Sequence, residues 1–257
     1  MRKNPFQPVV VQILAILVIC VVPALGQTPK DLPELSAVER ELKGGETHSF
    51  RILLASNQFL YALVEQKDID VITAVFSPDG KQLSESQSPN DRWGTEPVLL
   101  VASVPAEYRV DVRSQNDKAP AGRYRIQIVA LREATAIDKG HAMAQAAFDE
   151  ARKLRALQTT ASRRAAIEKG EQALPLFEAA GDTYRRALTL MGIGIAYLQL
   201  NEIRKALDYF NQTLVLAKNI EDRRLEAGTE TFVGGMLDLL GDISKSLDHY
   251  HRALQLA

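Results

Sequence analysis

The stretch Leu190-Met-Gly-Ile-Gly-Ile-Ala-Tyr197, followed by Ala206-Leu-Asp-Tyr-Phe210, decides the fold of the second half of the chain. Apolar and small residues recur in it at the 3.6-residue period of an α-helix. Small side chains at Gly194 and Ala206 allow two helices to approach closely, and the aromatic rings of Tyr197 and Phe210 fill the wider end. The stretch therefore predicts a pair of packed antiparallel helices.

The same residue types recur 40 positions further along the chain. Gly194 is matched by Gly234, and Phe210 is matched by Tyr250. Three further segments share the spacing: Ala173–Leu176, Thr213–Leu216 and Ala253–Leu256. One helix pair cannot bury both of its faces, so a repeat of this length predicts that successive pairs stack into a solenoid.

Helical periodicity extends from position 133 to the last residue, with Pro175 as the only proline in that part. We predict six helices, over 135–157, 161–180, 184–200, 203–219, 223–240 and 243–256. Ahead of them, over 37–132, the apolar period is two. Tyr124, Ile126 and Ile128, for example, alternate with polar residues. That alternation is typical of antiparallel strands with one buried face.

About eight short strands separated by turn signals, such as Ser77-Pro-Asp-Gly80, predict a β-sandwich or jelly roll. The predicted fold class is therefore all-β plus all-α in two domains: an antiparallel β-sandwich over 37–132 and a helical solenoid of about three hairpins over 133–257.

The first 26 residues have the pattern of a secretory signal peptide. Arg2 and Lys3 precede an apolar run over 9–22, and small residues at Ala24 and Gly26 fit a cleavage site. We predict export to the periplasm or the medium, with a retained N-terminal membrane anchor as the alternative. Residues 27–36 are predicted to be a linker. Cys20, the only cysteine, lies inside the signal, so the mature chain can form no disulfide.

The helical half resembles the tetratricopeptide repeat (TPR) family in a 40-residue version. The residues that carry this resemblance, and that it implies pack within the repeats, are Leu190, Gly194, Tyr197, Ala206, Phe210, Gly234, Tyr250 and Ala253. Asn201, Thr213 and Ser246 depart from the family pattern. The resemblance implies a groove for a protein or peptide partner, lined by Met191, Ile195, Gln199, Thr231, Gly235 and Asp238. The alternative is that these side chains pack between repeats or face solvent.

The order of the segments, a signal peptide followed by a β-module and 40-residue repeats, is similar to the N-terminal half of certain bacterial exported proteins. Those proteins end in a CHAT domain, a caspase-like peptidase module. The β-module resembles the pre-peptidase C-terminal type of jelly roll, on the stretches Gln66–Gly80 and Glu107–Val110. No catalytic module lies within these 257 residues, and no polar capping helix follows the last repeat. We therefore expect the chain to be a fragmentary member of that group.

The sequence predicts no catalytic residues, cofactor or metal site. His249 and His251 are two positions apart and point to different sides of a helix. Asp68, Asp70 and Asp79 lack the spacing of a calcium loop. The net charge of −1 disfavours a nucleic-acid partner. The leading hypothesis is an exported, non-catalytic protein-interaction scaffold. The alternatives are the regulatory half of a CHAT-type peptidase and a carbohydrate-binding sandwich that uses Trp93, Tyr61 or Tyr108.

Overall fold

A computed structural model describes residues 30–31, 37–87 and 93–256. The predicted signal peptide and most of the predicted linker lie outside these residues. Within them, an antiparallel β-sandwich precedes six helices in a solenoid-like arrangement, so the predicted fold class is confirmed. None of the helices in the described ranges is long and apolar enough to span a bilayer.

The strands form two sheets that pack face to face. Their bounds are β1 Lys30–Asp31, β2 Ala37–Leu42, β3 Thr47–Leu54, β4 Gln58–Lys67, β5 Val71–Phe76, β6 Gln82–Ser86, β7 Trp93–Val101, β8 Ala106–Ser114 and β9 Gly122–Glu133. One sheet has the order β1-β3-β8-β5-β6 and the other β2-β9-β4-β7. All pairings are antiparallel except that of β1 with β3.

Alternation along the strands builds the core of the sandwich. In β3, Phe50, Ile52 and Leu54 are buried, whereas Leu53 between them is 78% exposed. The same period buries Tyr108 in β8 and Tyr124 in β9. Because successive side chains of a strand point to opposite faces, this pattern fixes the pairing register of each strand.

The predicted turn between β5 and β6 is present. The amide of Gly80 donates to the carbonyl of Ser77 at 2.9 Å, which closes a four-residue turn. Gly80 has a φ of 82°, a left-handed conformation that glycine adopts without steric cost. The local sequence alone is therefore sufficient to explain this reversal.

Six helices follow the sandwich. Their bounds are α1 Ala136–Ala156, α2 Thr160–Ala179, α3 Thr183–Gln199, α4 Ile203–Asn219, α5 Arg223–Leu239 and α6 Ile243–Leu256. Each begins and ends within one residue of its predicted bounds.

Caps recur at the repeat spacing and explain where helices begin. The Asp182 carboxylate accepts a hydrogen bond from the amide of Arg185 at 2.9 Å, and Asp222 accepts one from Leu225 at the same distance. Each bond satisfies an amide that the first turn of a helix leaves without a partner. Asn201, which departs from the family pattern at a usual glycine position, has a φ of 60° after α3. Asparagine is among the few residues that tolerate this conformation.

The helices stack in sequence order. Each one packs against the helix before and the helix after it, and α1 also contacts α3. A Cβ placed on Gly194 would lie 2.7 Å from Cε1 of Phe210, so the Phe210 ring occupies the space that a side chain at 194 would need. Gly234 has the same relation to the Tyr250 ring, at 3.0 Å. The glycine–aromatic pair is thus the contact that repeats in α3–α4 and α5–α6.

The last hairpin shows what stacking does to equivalent side chains. Leu214 in α4 is 7% exposed and belongs to a cluster with Val233 and Met236 of α5. Its counterpart 40 residues later, Leu254 in α6, is 75% exposed. A following helix therefore buries the face of α4 that stays open on α6 in the described chain.

Candidate functional site

Three of the predicted groove residues contribute to packing. Met191 and Ile195 are half-buried and lie against the apolar cluster that α4 and α5 share. Gly235 is also half-buried, and a Cβ on it would lie 3.6 Å from the hydroxyl oxygen of Tyr250. The surroundings of these three residues agree with the alternative interpretation, in which the side chains pack between repeats.

The other three have exposed side chains. Gln199 lies at the end of α3, and Thr231 and Asp238 lie on α5. The Thr231 hydroxyl donates to the carbonyl of Ala227 at 3.0 Å, within its own helix. Gln199 also lines a cleft between the two halves of the chain. The role of the set in partner binding stays a prediction.

The two halves of the chain meet where α1 packs against β6 and β7. Nearer the start of α1, the ring of His141 lies edge-on to Tyr61 of β4, with ring centres 6.1 Å apart. Nε2 of His141 is 2.9 Å from Oδ2 of Asp182, the residue that caps α3. Burial, and then the Asp182 carboxylate, raise the pKa of the Tyr61 hydroxyl. The Asp182 carboxylate thus both caps α3 and contacts His141 at the junction between the two halves.

The placement of Tyr61 and Tyr108 bears on the carbohydrate hypothesis. Tyr108 is buried, and its hydroxyl donates to the carbonyl of Val104 at 3.1 Å. Tyr61 is half-buried at the junction with α1. The buried Tyr108 ring therefore presents no open face on which a sugar could stack, whereas a role of Tyr61 in sugar binding stays a prediction. The backbone of Trp93 begins β7, but its side chain lies outside the described residues.

A polar cleft of about 420 Å³, which we call the junction cleft, opens where the sandwich meets the helices. Its lining comes from β6 and the residue after it, from the C-terminal half of α1 and the loop after it, and from the end of α3. The lining residues are Glu85, Gln87, Asp149, Arg152, Lys153, Arg155, Ala156, Gln158 and Gln199.

Two guanidinium groups of this cleft are partly withdrawn from water. Arg152 donates to Oε1 of Gln87 at 3.3 Å, across the junction. Arg155 lies against Gly192, where a Cβ would be 2.8 Å from its Nη1, and its side chain has no hydrogen-bond or ion-pair partner among the described residues. Burial lowers the pKa of both groups, and for Arg155 the neighbouring charge of Arg152 lowers it further. A cation that loses hydration without gaining a partner destabilises the folded state.

Asp149 is the carboxylate nearest to these cations. It is 6% exposed, Oδ1 accepts from Nε2 of Gln145 at 3.1 Å, and Oδ2 has no partner. Burial raises its pKa to about 7, although the hydrogen bond from Gln145 and the charges of Arg185, Arg152 and Lys153 act in the opposite direction. Near neutral pH this carboxyl therefore carries only part of a negative charge.

Arg185 of α3 completes the cluster behind the cleft. It is 3% exposed, its guanidinium carbon lies 5.8 Å from the centre of the Phe148 ring, and its Nη1 atom has no hydrogen-bond partner. The remaining acidic groups nearby have partners of their own: Glu85 pairs with Arg113 at 3.0 Å, and Glu96 accepts from Ser86 at 3.2 Å. The described part of the cleft thus has more positive than negative charge.

No residue of this cluster was singled out from the sequence. Three basic residues within Arg152–Arg155 are a weak signal, because cations near a helix C-terminus are common and interact favourably with the helix dipole. The cleft arises only where β6 meets α1, more than 60 positions apart in the chain. Groups of three or more side chains suited to holding a metal ion are absent from the described ranges.

Comparison with known proteins adds to the description of each half. Neither a protein-family model nor a curated protein matches the sequence. The pre-peptidase C-terminal domain of a collagenase from Bacillus anthracis aligns with 39% of this chain and 93% of its own, at 14% identity and a TM-score of 0.33.

Two solved structures resemble the helical half. The TPR domain of Arabidopsis FLU aligns with 45% of this chain and 95% of its own, at 16% identity and a TM-score of 0.42. The apo form of RapI aligns with 48% of this chain and 43% of its own, at 18% identity and the same TM-score. At these scores the matches say nothing about function. In the described residues, the chain combines stacked helices with a β-sandwich domain.

Proposed function

We propose that the protein is an exported, non-catalytic scaffold that binds a partner protein through its stacked helices. The observation that carries this proposal is the packing of the six helices in sequence order. In the described chain, no extensive contact joins the first hairpin to the third. An open stack exposes helix faces that a closed bundle would bury, and extended surfaces of this kind are what helical-repeat proteins use for recognition.

The first helices of the second and third hairpins supply candidate contact residues. Gln199 on α3 and Thr231 and Asp238 on α5 are exposed, and half-buried Met191 and Ile195 add apolar surface on α3. We call these five positions the binding wall. A mixture of exposed polar and partly exposed apolar side chains is typical of non-obligate protein interfaces. Export is proposed from the signal-peptide pattern over 1–26.

Affinity capture with matched variants tests this proposal. The chain from residue 27 onward is immobilised, and bound proteins are recovered from the exported fraction of the source cells. We expect a stoichiometric partner that is lost when tryptophan blocks the wall in Gln199→Trp and Thr231→Trp. Arg204→Trp, at an exposed position of α4, should retain it.

Exposed substitutions usually change stability by no more than about 0.5 kcal/mol, so all three variants should remain folded, and circular dichroism checks this. Equal capture by all three variants would place the interface elsewhere. Capture of no partner by the folded wild-type chain would contradict the scaffold proposal.

A further inference from the structure

The junction cleft holds charge that the described chain does not neutralise. The Arg155 guanidinium has no partner, and the hydrogen bond of Arg152 goes to the neutral amide oxygen of Gln87. Behind the cleft, Nη1 of Arg185 is buried without a hydrogen-bond partner. Lys153 adds a fourth, exposed cation at the rim. Unpaired, desolvated guanidinium groups are costly, and an anion between them would recover part of that cost.

The acidic groups around the cleft offset only part of this positive charge: Asp149, Glu96 and Glu85 favour the charged form of Arg152, whereas no carboxylate does so for Arg155. Glu85 is paired with Arg113, and Glu96 is hydrogen-bonded to Ser86. Asp149 faces the cations from α1, but burial keeps its pKa at about 7, so below that pH most of it is a neutral carboxyl group. In that form its unpartnered Oδ2 can donate a hydrogen bond to an oxygen of a bound anion.

We propose that the junction cleft is a binding site for a small ligand that carries a carboxylate or phosphate group. Arg152 and Arg155 are one helical turn apart, and their planar guanidinium groups suit the paired oxygens of either anion. Gln87 from the sandwich and Gln199 from α3 supply neutral amides on opposite sides. A volume of about 420 Å³ is in the range of small-molecule sites and exceeds what a bare oxyanion needs.

This site overlaps the binding wall only at Gln199. Its residues come from both domains, and four of the five binding-wall positions do not line it. Occupation of the cleft would place an anion between α1 and Gln87, the residue after β6, where Arg152 already bridges the two halves. The ligand would therefore contact both domains at once.

Calorimetric titration of the chain from residue 27 onward tests the proposal. Glutarate and inorganic phosphate are the probes, used separately at low ionic strength and at a pH below 7. We expect at least one of them to bind with a dissociation constant below about 1 mM. The probe that binds identifies the anionic group. Arg155→Gln removes a charge-assisted hydrogen bond and should weaken binding by about tenfold or more.

The controls separate site binding from general charge attraction. Arg204→Gln removes an exposed cation of α4 that does not line the cleft, and it should leave affinity within about twofold, because solvent and salt screen exposed charges. Arg155→Lys keeps the charge but loses the planar fork, so it should bind with intermediate affinity. Because the partly buried Arg155 guanidinium has no partner in the described chain, Arg155→Gln should unfold at or above the wild-type temperature, and thermal unfolding checks this.

Two results with the small probes would overturn the proposal. One is the absence of saturable binding by both probes at about 1 mM; the other is an affinity that Arg155→Gln and Arg204→Gln reduce equally. A capped hexaglutamate peptide serves as a third probe. Binding of the peptide alone would also contradict a small-ligand site, because it would assign the cleft to a protein partner. None of these results depends on the capture experiment, so the two proposals can fail separately.

Discussion

Replacing Gly194 by alanine tests the contact on which the repeat depends. A Cβ at this position would lie 2.7 Å from Cε1 and 2.9 Å from Cδ1 of Phe210. The ring has no room to retreat, because Phe210 is fully buried and stacks on Phe232 with ring centres 4.8 Å apart. The substitution should therefore overpack the interface between α3 and α4.

The magnitude follows from two opposing effects. Overpacking a close-packed core costs about 1–3 kcal/mol. Alanine is favoured over glycine inside a helix by about 1 kcal/mol, which offsets part of that cost. We expect Gly194→Ala to lower the free energy of unfolding by about 1 kcal/mol. A Cβ on Gly228 in α5 would meet no other atom within 4 Å, so Gly228→Ala should raise it by up to about 1 kcal/mol.

Urea unfolding followed by far-ultraviolet circular dichroism measures both variants. The difference between them isolates the steric effect, since the propensity gain is common to both. A second substitution, Phe210→Leu, should shrink the penalty of Gly194→Ala, with a coupling energy of about 0.5–3 kcal/mol in a double-mutant cycle. If Gly194→Ala proved as stable as Gly228→Ala, the close packing of the glycine against the ring would be refuted.

Three further predictions concern burial, ionisation and capping. Leu214→Ala should cost about 2–5 kcal/mol, whereas Leu254→Ala at the exposed equivalent position should cost at most about 0.5 kcal/mol; equal costs in urea unfolding would contradict the stacking order. Burial raises the pKa of Asp149 to about 7 in the folded state, from about 3.9 in the unfolded state. The free energy of unfolding of the wild type should therefore fall as the pH rises from about 4 to about 7, and then level off. The free energy of unfolding of Asp149→Asn should therefore exceed that of the wild type by at most about 4 kcal/mol near pH 8 and equal it near pH 4. A difference that does not depend on pH would contradict this explanation. Asp182→Ala loses both a helix cap and the His141 contact, so thermal unfolding should show a larger loss than for Asp222→Ala, which loses a cap worth about 1 kcal/mol.

The fold was predictable because its signals are local and periodic. Six helix bounds followed from apolar spacing. The structure adds that Asp182 and Asp222, 40 positions apart, cap two of these helices. Strand faces followed from alternation, as in β3. These features depend on residues a few positions apart, which a single sequence displays directly.

The junction cleft could not be predicted, because it depends on contacts between distant segments. Nothing in the sequence near Gln87 indicates that Arg152 will reach it. The burial that raises the pKa of Asp149 likewise comes from tertiary packing. The predicted groove residues show that side-chain exposure also could not be predicted. Helix spacing alone did not separate exposed Gln199 from half-buried Met191, since partial burial depends on how closely the neighbouring hairpin approaches.

Site-specific photo-crosslinking in living cells tests the central claim, that the open stack binds a protein, most directly. A photoreactive amino acid is placed at position 199 or 231 on the wall, or at the exposed position 204 on α4. We expect one discrete crosslinked partner from positions 199 and 231, and none from position 204. Crosslinks from position 204 alone, or from all three positions equally, would contradict that claim.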